Sequence, residues 1–542
     1  MSTYLFCQEV PHPVSNTGVY EFLDELANDG VISINSVIKP YSRLYIANKL
    51  KEAEKNGDKL NSRQVKELSF YLLDFSKEIE RQGAQSSERR GESAGSNTRV
   101  DRVQWLRGVK DEKRFDLFYY KDSLFSLTVN PILGGELFTN EKGQATYWRN
   151  GVEARGYIGH LALYASLRDN HETPLLGLPS YLTQREGGHL KEENSWEDMQ
   201  GGITYSWKWG SAGLVKDKIQ WGNNYNGANI FGGNNPSFIQ FRLHLNPVKW
   251  FDFNYFHGWL TSMVVDSSRS YWVTNSYGTD YREVYHKKFV AANMFTFIPL
   301  KNLYVSAGNS IIYSDLNVHP AYLIPVMFYK AEDHYVNDGI DNMNSQMFFD
   351  ISSRQIRHLH IYGTLFIDEL SIPRIYQKPK KEWNFLSYKA GFRLSDFPVQ
   401  NLSLTAEFTY TYPLTFQHYV PTLTFETNGY NLGHYLRDNS REWYLSLGYK
   451  PMRTMDISIY FLDAVRGPDY TELGTNRVGN PPLATINWHN TTAGIKVSYQ
   501  IINDVYAWGS FAYSNIRGDS RWSPDYFFGK RNTLNLGITL GF

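Results

Sequence analysis

Thr533-Leu534-Asn535-Leu536-Gly537-Ile538-Thr539-Leu540-Gly541-Phe542 closes the sequence with an unbroken alternation. Leu534, Leu536, Ile538, Leu540 and Phe542 fall on one side of an extended chain; Thr533, Asn535, Gly537, Thr539 and Gly541 fall on the other. Successive side chains of a strand point to opposite faces, so this segment has one wholly apolar face and one small polar face. The same split separates Leu402, Leu404, Ala406, Phe408 and Tyr410 from Ser403, Thr405, Glu407 and Thr409. It recurs where Met455, Ile457, Ile459 and Phe461 alternate with Asp456, Ser458 and Tyr460, and where Ile495, Val497 and Tyr499 alternate with Lys496, Ser498 and Gln500. Glu407 and Lys496 would be intolerable in lipid, yet each stands opposite an apolar row. That is the pattern of a strand between a bilayer and a wet lumen.

Working backwards, short turn signatures separate such runs: Pro247-Val248-Lys249, Pro299-Leu300-Lys301, Ser352-Ser353-Arg354, Pro398-Val399-Gln400, Pro451-Met452-Arg453 and Asn503-Asp504. They recur about every 50 residues, room for two strands of ~10 residues and one long loop. Twelve strands follow Pro247, and about six more fit between residues 121 and 246, with turns expected near Asn150-Gly151 and Ser211-Ala212. The expected fold is therefore an all-β antiparallel transmembrane barrel of about 18 strands. A soluble sandwich or propeller would bury both apolar faces and would not end on such a row. The register puts segments 169–198, 221–236, 264–281, 314–346, 371–383, 412–440, 463–490 and 516–530 at one end, expected to be extracellular.

Composition agrees. Aromatic residues make up 16% of the chain, with Tyr the most used, and such side chains form the girdles of membrane barrels. Mean hydropathy is negative because a barrel strand offers lipid only every second residue. No apolar run of ~20 residues suggests a transmembrane helix. Lys and Arg balance Asp and Glu at 55 each, so no charge excess points to nucleic acid. The single cysteine, Cys7, excludes an internal disulfide.

Ahead of the strands the period is helical. Val19, Phe22, Leu23 and Leu26 mark a first helix over 17–28, closed by Gly30; Ser42 caps a second with Leu44, Ile46, Ala47 and Leu50. Asn61 and Gln64 form a capping box before a third, with Val65, Leu68, Leu72, Phe75 and Ile79 on one side. We read 1–8 as the remnant of a secretory signal, 9–81 as a helical periplasmic domain, 82–114 as a linker leading into the barrel, polar through residue 99, and 115–542 as the outer-membrane barrel.

Trp221-Gly222-Asn223-Asn224-Tyr225-Asn226-Gly227, running on to Asn234-Asn235-Pro236-Ser237-Phe238, resembles a segment of the Wzi-type capsule assembly family. Further similarities follow in order: Tyr322-Leu323-Ile324-Pro325, Asp341-Asn342, Ile367-Asp368-Glu369, and Leu432-Gly433-His434 leading to Asn439. Val19 to Leu26 and Lys39-Pro40-Tyr41-Ser42-Arg43 resemble the family's N-terminal domain. The likeness departs at Tyr435-Leu436-Arg437, where Pro and Gly are expected, and in the long linker at 82–99. It implies an 18-stranded bacterial outer-membrane barrel with periplasmic helices and a lectin-like role in anchoring capsular or surface polysaccharide.

Sugar rings call for flat aromatic faces, and hydroxyls for amide and carboxylate groups held in loops. Candidate polysaccharide-binding residues are Trp221, Asn223, Tyr225 and Asn226; Tyr271, Trp272, Asn275 and Tyr277; and Tyr430, Asn431, His434 and Arg437. Asn337-Asp338-Gly339-Ile340-Asp341-Asn342 has oxygens at spacings open to calcium, equally explained by turn chemistry. His358 and His360 would share one face of a strand. Asp368 and Glu369 alternate and cannot form an acid–base pair on one face. No nucleophile elbow, His-Glu-x-x-His, phosphate loop or dinucleotide motif is present, so no catalytic residue, metal or cofactor is expected, and the chain is not expected to be an enzyme. Leu540 and Phe542 close the terminal apolar stripe and are expected to be read by the barrel insertion machinery. Alternatives to the polysaccharide anchor are a porin-like diffusion channel and an accessory barrel subunit that works with other outer-membrane proteins in an assembly or secretion complex.

Overall fold

The computed structural model describes residues 9–80, 104–107, 116–190, 194–314, 317–336, 341–378 and 380–542. Cys7, the 82–99 linker and residues 337–340 of the calcium candidate lie outside them.

Eighteen antiparallel strands close into a barrel. They are β1 (Phe125–Asn140), β2 (Gly143–Ile158), β3 (Leu161–Thr173), β4 (Ser195–Trp207), β5 (Gly210–Asp217), β6 (Phe238–Val248), β7 (Phe251–Val265), β8 (Tyr285–Leu300) and β9 (Leu303–Ser314). The second half comprises β10 (Met343–Ser353), β11 (Leu359–Glu369), β12 (Phe385–Ser395), β13 (Leu402–Thr411), β14 (Ser440–Met452), β15 (Met455–Arg466), β16 (Trp488–Ile502), β17 (Val505–Gly518) and β18 (Gly529–Leu540). The last strand pairs with the first, from Leu534↔Thr139 to Leu540↔Leu133, which removes the open edges. A hairpin of Gln104–Arg107 and Asp116–Lys121 pairs with the start of β1.

The alternation behaves as the sequence demands. Leu534, Leu536 and Ile538 are exposed on the outer wall, while Thr533, Thr539, Thr405, Glu407 and Thr409 are buried inside. Trp250, Phe297, Tyr449 and Tyr499 ring the wall near the short turns, and Trp148, Trp443 and Tyr513 lie further up, as two aromatic girdles. The long segments all emerge at one end, and the short turns lie at the other, except that the two-residue β1–β2 turn sits among the long segments, where Lys142 pairs with Asp525 at 3.1 Å.

Two local expectations fail and a third is shifted. Asn150-Gly151 is not a turn but the middle of β2, because Gly151 lets neighbouring backbone come close: a Cβ there would sit 2.0 Å from the Leu167 carbonyl oxygen. The β1–β2 and β2–β3 turns fall at 141–142 and 159–160 instead. The turn expected near Ser211-Ala212 does form but slightly earlier, at 208–209: Gly210 begins β5 and Ser211 already pairs with Ser206. Phe542 does not extend the outer stripe. Gly541, at φ 73°, turns the chain inward, and the Phe542 ring packs 5.5 Å from lumen-facing Tyr506.

Helices α1 (Thr17–Asn28), α2 (Arg43–Lys55) and α3 (Ser62–Asp74) form where the apolar spacing places them. Ser42 accepts from the Tyr45 amide, and Asn61 and Gln64 make the reciprocal capping box. Their core is Phe22, Leu23, Leu26, Ile46, Leu50, Leu68 and Phe75; Val65, expected in it, faces outward because the helix turns Leu68 and Tyr71 inward. The bundle sits across the short-turn end, where Asn503 donates to Asp74 at 3.0 Å, Arg63 to Asn401 at 2.7 Å and Asn28 to Ser395 at 2.9 Å. From it, residues Ile38–Lys39 extend into the lumen and pair antiparallel with Gln220–Trp221.

Candidate functional site

Two long-end loops fold into the lumen. In the first, 218–237, Gly222 adopts φ 99°, and the Trp221 ring packs edge-on against Phe231 at 5.3 Å, Phe256 at 5.2 Å and Phe348 at 5.9 Å. The second, 412–439, contributes Phe416, Leu423, Phe425 and Leu432 to the same cluster. The Gly232 amide donates to the Leu432 carbonyl at 2.7 Å, which ties the loops together. Between this plug, the wall and the helices below, cavities of about 340, 380 and 320 Å³ remain, with lining residues in common.

The polar residues of the first loop satisfy lumen charges. Asn223 donates to Asp350 through its backbone amide at 2.9 Å and its side chain at 2.6 Å, and accepts from Ser36 at 2.5 Å. The Tyr225 hydroxyl donates to Asp24 at 2.7 Å, its amide bonds Glu407 at 2.7 Å, and the Arg393 guanidinium lies 4.9 Å over its ring. Asn226 donates to Glu442 at 2.8 Å and its carbonyl accepts from Lys389 at 3.1 Å. Burying carboxylates is tolerable only with such partners. Trp221, Asn223, Tyr225 and Asn226 are therefore plug residues in this structure and are not presented to solvent by an external loop.

Tyr430, His434 and Arg437 are likewise drawn inward. The Tyr430 hydroxyl donates to the Gly177 carbonyl at 3.1 Å, Asn431 donates to the His434 carbonyl at 2.8 Å, and Arg437 lies 3.5 Å from Glu426. His434 has no exposed surface, and burial pushes its imidazole well below the usual range. Tyr435, where the family resemblance departs, bonds Glu442.

The third set stands apart. Residues Tyr271–Asn275 and Gly278–Arg282 form a two-stranded hairpin beyond the barrel mouth. Trp272 is 69% exposed and Tyr277 97% exposed, with Tyr271 and Tyr281 also exposed. Trp272 and Tyr281 rings lie 5.1 Å apart, and Asn275 accepts from the Tyr277 amide at 2.8 Å. Aromatic faces held on a short ladder suit stacking against a ring with polar edges. The remaining mouth adds Tyr376, Tyr419 stacked on His418 at 4.4 Å, and Trp383 against Tyr412 at 5.9 Å. These residues were missed individually, although the segments 371–383 and 412–440 contain them; no local pattern separates them from the other aromatics of those segments.

His358 and His360 do not share a face. His358 lies in the turn before β11 at φ 69° and meets Asp29 at 2.8 Å, whereas His360 points into the lumen toward Ser352 at 2.8 Å. Asp368 is buried and accepts from the Phe416 amide, while Glu369 pairs with Arg374 at 2.6 Å, so the two do diverge. Among the described residues no cluster of three His, Cys, Asp or Glu side chains could hold a metal.

No protein-family model matches the chain, and no curated protein matches it. Among solved structures it is similar to Wzi of Escherichia coli, described as an outer-membrane, carbohydrate-binding β-barrel involved in group 1 capsule assembly. The identity is 12%, the TM-score 0.58, and the match covers 99% of this chain and 100% of that one. Pseudomonas aeruginosa OccD3 (OpdP) is 8% identical at TM-score 0.42, over 76% of this chain and 90% of that one. Acinetobacter baumannii OccAB3 is 10% identical at TM-score 0.42, over 76% and 99%. With its helices, its closed 18-strand ring and near-complete coverage, the chain has the fold of the Wzi outer-membrane barrel.

Proposed function

We propose that this protein is a closed outer-membrane barrel that binds surface polysaccharide at its long-loop end and holds capsular material at the cell surface, without catalysing a reaction. In this reading the long loops are extracellular and the helices periplasmic. The observation that carries it is the plug: Trp221, Phe231, Phe416 and Phe425 pack into the lumen from the mouth while α1–α3 lie across the other end, an arrangement that opposes free diffusion. What the mouth offers is the aromatic hairpin at 271–282. The carbohydrate binding and capsule role described for the Wzi barrel support the reading through shared fold.

The test is binding of detergent-purified protein to an array of capsular and surface polysaccharides, with planar-bilayer conductance recorded on the same sample. Saturable glycan binding without conductance is expected. Open-pore current without binding would make it a channel, and neither signal would make a partner-protein role the leading idea.

A further inference from the structure

The outer wall of β7–β9 carries polar residues at mid-height. The inward faces there hold Phe256, Val290 and Ile312 against the plug, so Tyr255, His257, Asn293, Asn309 and Tyr313 point outward. Asn293 and Asn309 are direct cross-strand partners, and Asn309 donates to Asn293 at 2.7 Å. Asn293 is seven residues above Leu300, about 18 Å along a tilted barrel, well within an apolar band about 25 Å tall.

Both asparagines are covered by part of the connection between β9 and β10, which folds back down the outside of the wall. The Asn293 side chain donates to the carbonyls of Pro325 and Met327, each at 2.9 Å, and the Tyr329 amide donates to Asn309 at 2.8 Å. The Tyr255 hydroxyl donates to the Tyr322 carbonyl at 2.8 Å. Amides of Tyr322, Ile324 and Met327 close short turns within the segment itself. Irregular backbone at membrane depth survives only where its polar groups are satisfied by protein, and the wall supplies that here.

We propose that residues 317–329 form a strap embedded in the bilayer, with acyl chains as its outer contact. This stretch contains no Asp, Glu, Lys or Arg, and charges return only at Lys330 and beyond. It turns Leu323, Ile324, Val326 and Phe328 outward, with Val326 65% and Phe328 50% exposed. The same outer wall carries an exposed apolar row of its own, Phe297, Val305, Phe349 and Ile351, so wall and strap present the same apolar chemistry outward. The sequence of β8 fits: Phe289-Val290-Ala291-Ala292 lacks alternation because plug and strap cover both of its faces.

The test places a nitroxide at Val326→Cys or Phe328→Cys in a Cys7→Ser background, reconstituted in liposomes, and compares collision with oxygen and with a water-soluble nickel chelate. Ile538→Cys marks the lipid-facing wall and Tyr277→Cys the aqueous mouth. Strap labels are expected to match position 538, favouring oxygen several-fold. Nickel accessibility like that at 277 would overturn the proposal, and so would protection from both reagents, which would mean a second protein covers the strap. Replacing Asn293 and Asn309 together by Leu removes the wall donors. The label at 326 is then expected to become nickel-accessible while the barrel keeps its heat-modifiable gel migration; an unmoved label in a folded barrel would overturn the part assigned to the asparagines.

Discussion

Arg354 is the side chain through which barrel and helical cap hold each other, and replacing it by Met is a quantitative test of the closure. It sits in the turn between β10 and β11, 1% exposed, and donates to Asp24 at 2.6 Å, to Asn28 at 2.8 Å and to Ser36 at 3.1 Å. Burial alone would push the Asp24 carboxyl up; Arg354, with His360 and Arg393 nearby, holds it well below the usual carboxylate range. Removing one partner of such a pair leaves an uncompensated buried charge, at a cost of about 3–5 kcal/mol. The ring of strands does not depend on that contact, so the loss should fall on cap docking. At 1.4 kcal/mol per tenfold, local opening of α1 should rise by roughly 10²-fold to a few thousand-fold. Hydrogen exchange of the 17–28 peptide in the purified protein, referenced to a β18 peptide, reads this directly. A rise below tenfold in Arg354→Met would refute the reasoning, whereas adding Asp24→Asn should recover much of the protection.

Other outcomes follow from the same contacts. Trp272→Ala with Tyr277→Ala should weaken glycan binding at least tenfold on titration and change stability by no more than about 0.5 kcal/mol, since both side chains are exposed. Trp221→Ala should instead loosen the plug by about 3–5 kcal/mol, seen as faster exchange of the 219–232 peptide; a glycan defect with an intact plug would return Trp221 to the binding surface. Burial raises the Glu67 carboxyl to about 7, against an unfolded value near 4.3. Its stabilising effect is therefore full below about pH 4 and lost as pH rises through 7. Intrinsic-rate-corrected exchange of α3 should be faster at pH 8 than at pH 5.5, and Glu67→Gln should flatten that difference. Deleting Phe542 should lower barrel insertion, measured by the heat-modifiable fraction in membranes; normal insertion would remove it as an assembly signal.

Strand number and the separation of short from long connections were legible because a wall between lipid and lumen forces a period of two on nearly every strand. Leu534 to Ile538 and Leu404 to Thr409 carry that constraint openly. Asn150-Gly151 misled because a glycine admitting close backbone contact uses the same residue as a turn. The inward course of 221–232 was illegible locally, since Asn, Gly and Tyr compose solvent loops and polar plugs alike. Its trace lay elsewhere: Asp350, Glu407 and Glu442 on inward positions needed partners, and the loop's asparagine side chains and amides meet them. His358 was misplaced because a left-handed turn residue interrupts the strand period just before His360.

The ring closes between its first and last strands, and that seam sets a timetable. Until Gly529–Leu540 is delivered, Leu133–Thr139 has no neighbour on that side, and the interior remains open laterally. The helices and the Ile38–Lys39 extension precede all eighteen strands in the chain, so their lodging place does not yet exist when they are made. Their meeting with Gln220–Trp221 joins parts contributed from opposite ends of the cylinder. Folding must therefore keep an early-made piece waiting beside an unfinished wall, and a wall that sealed before the piece arrived could be filled only through its short-turn end.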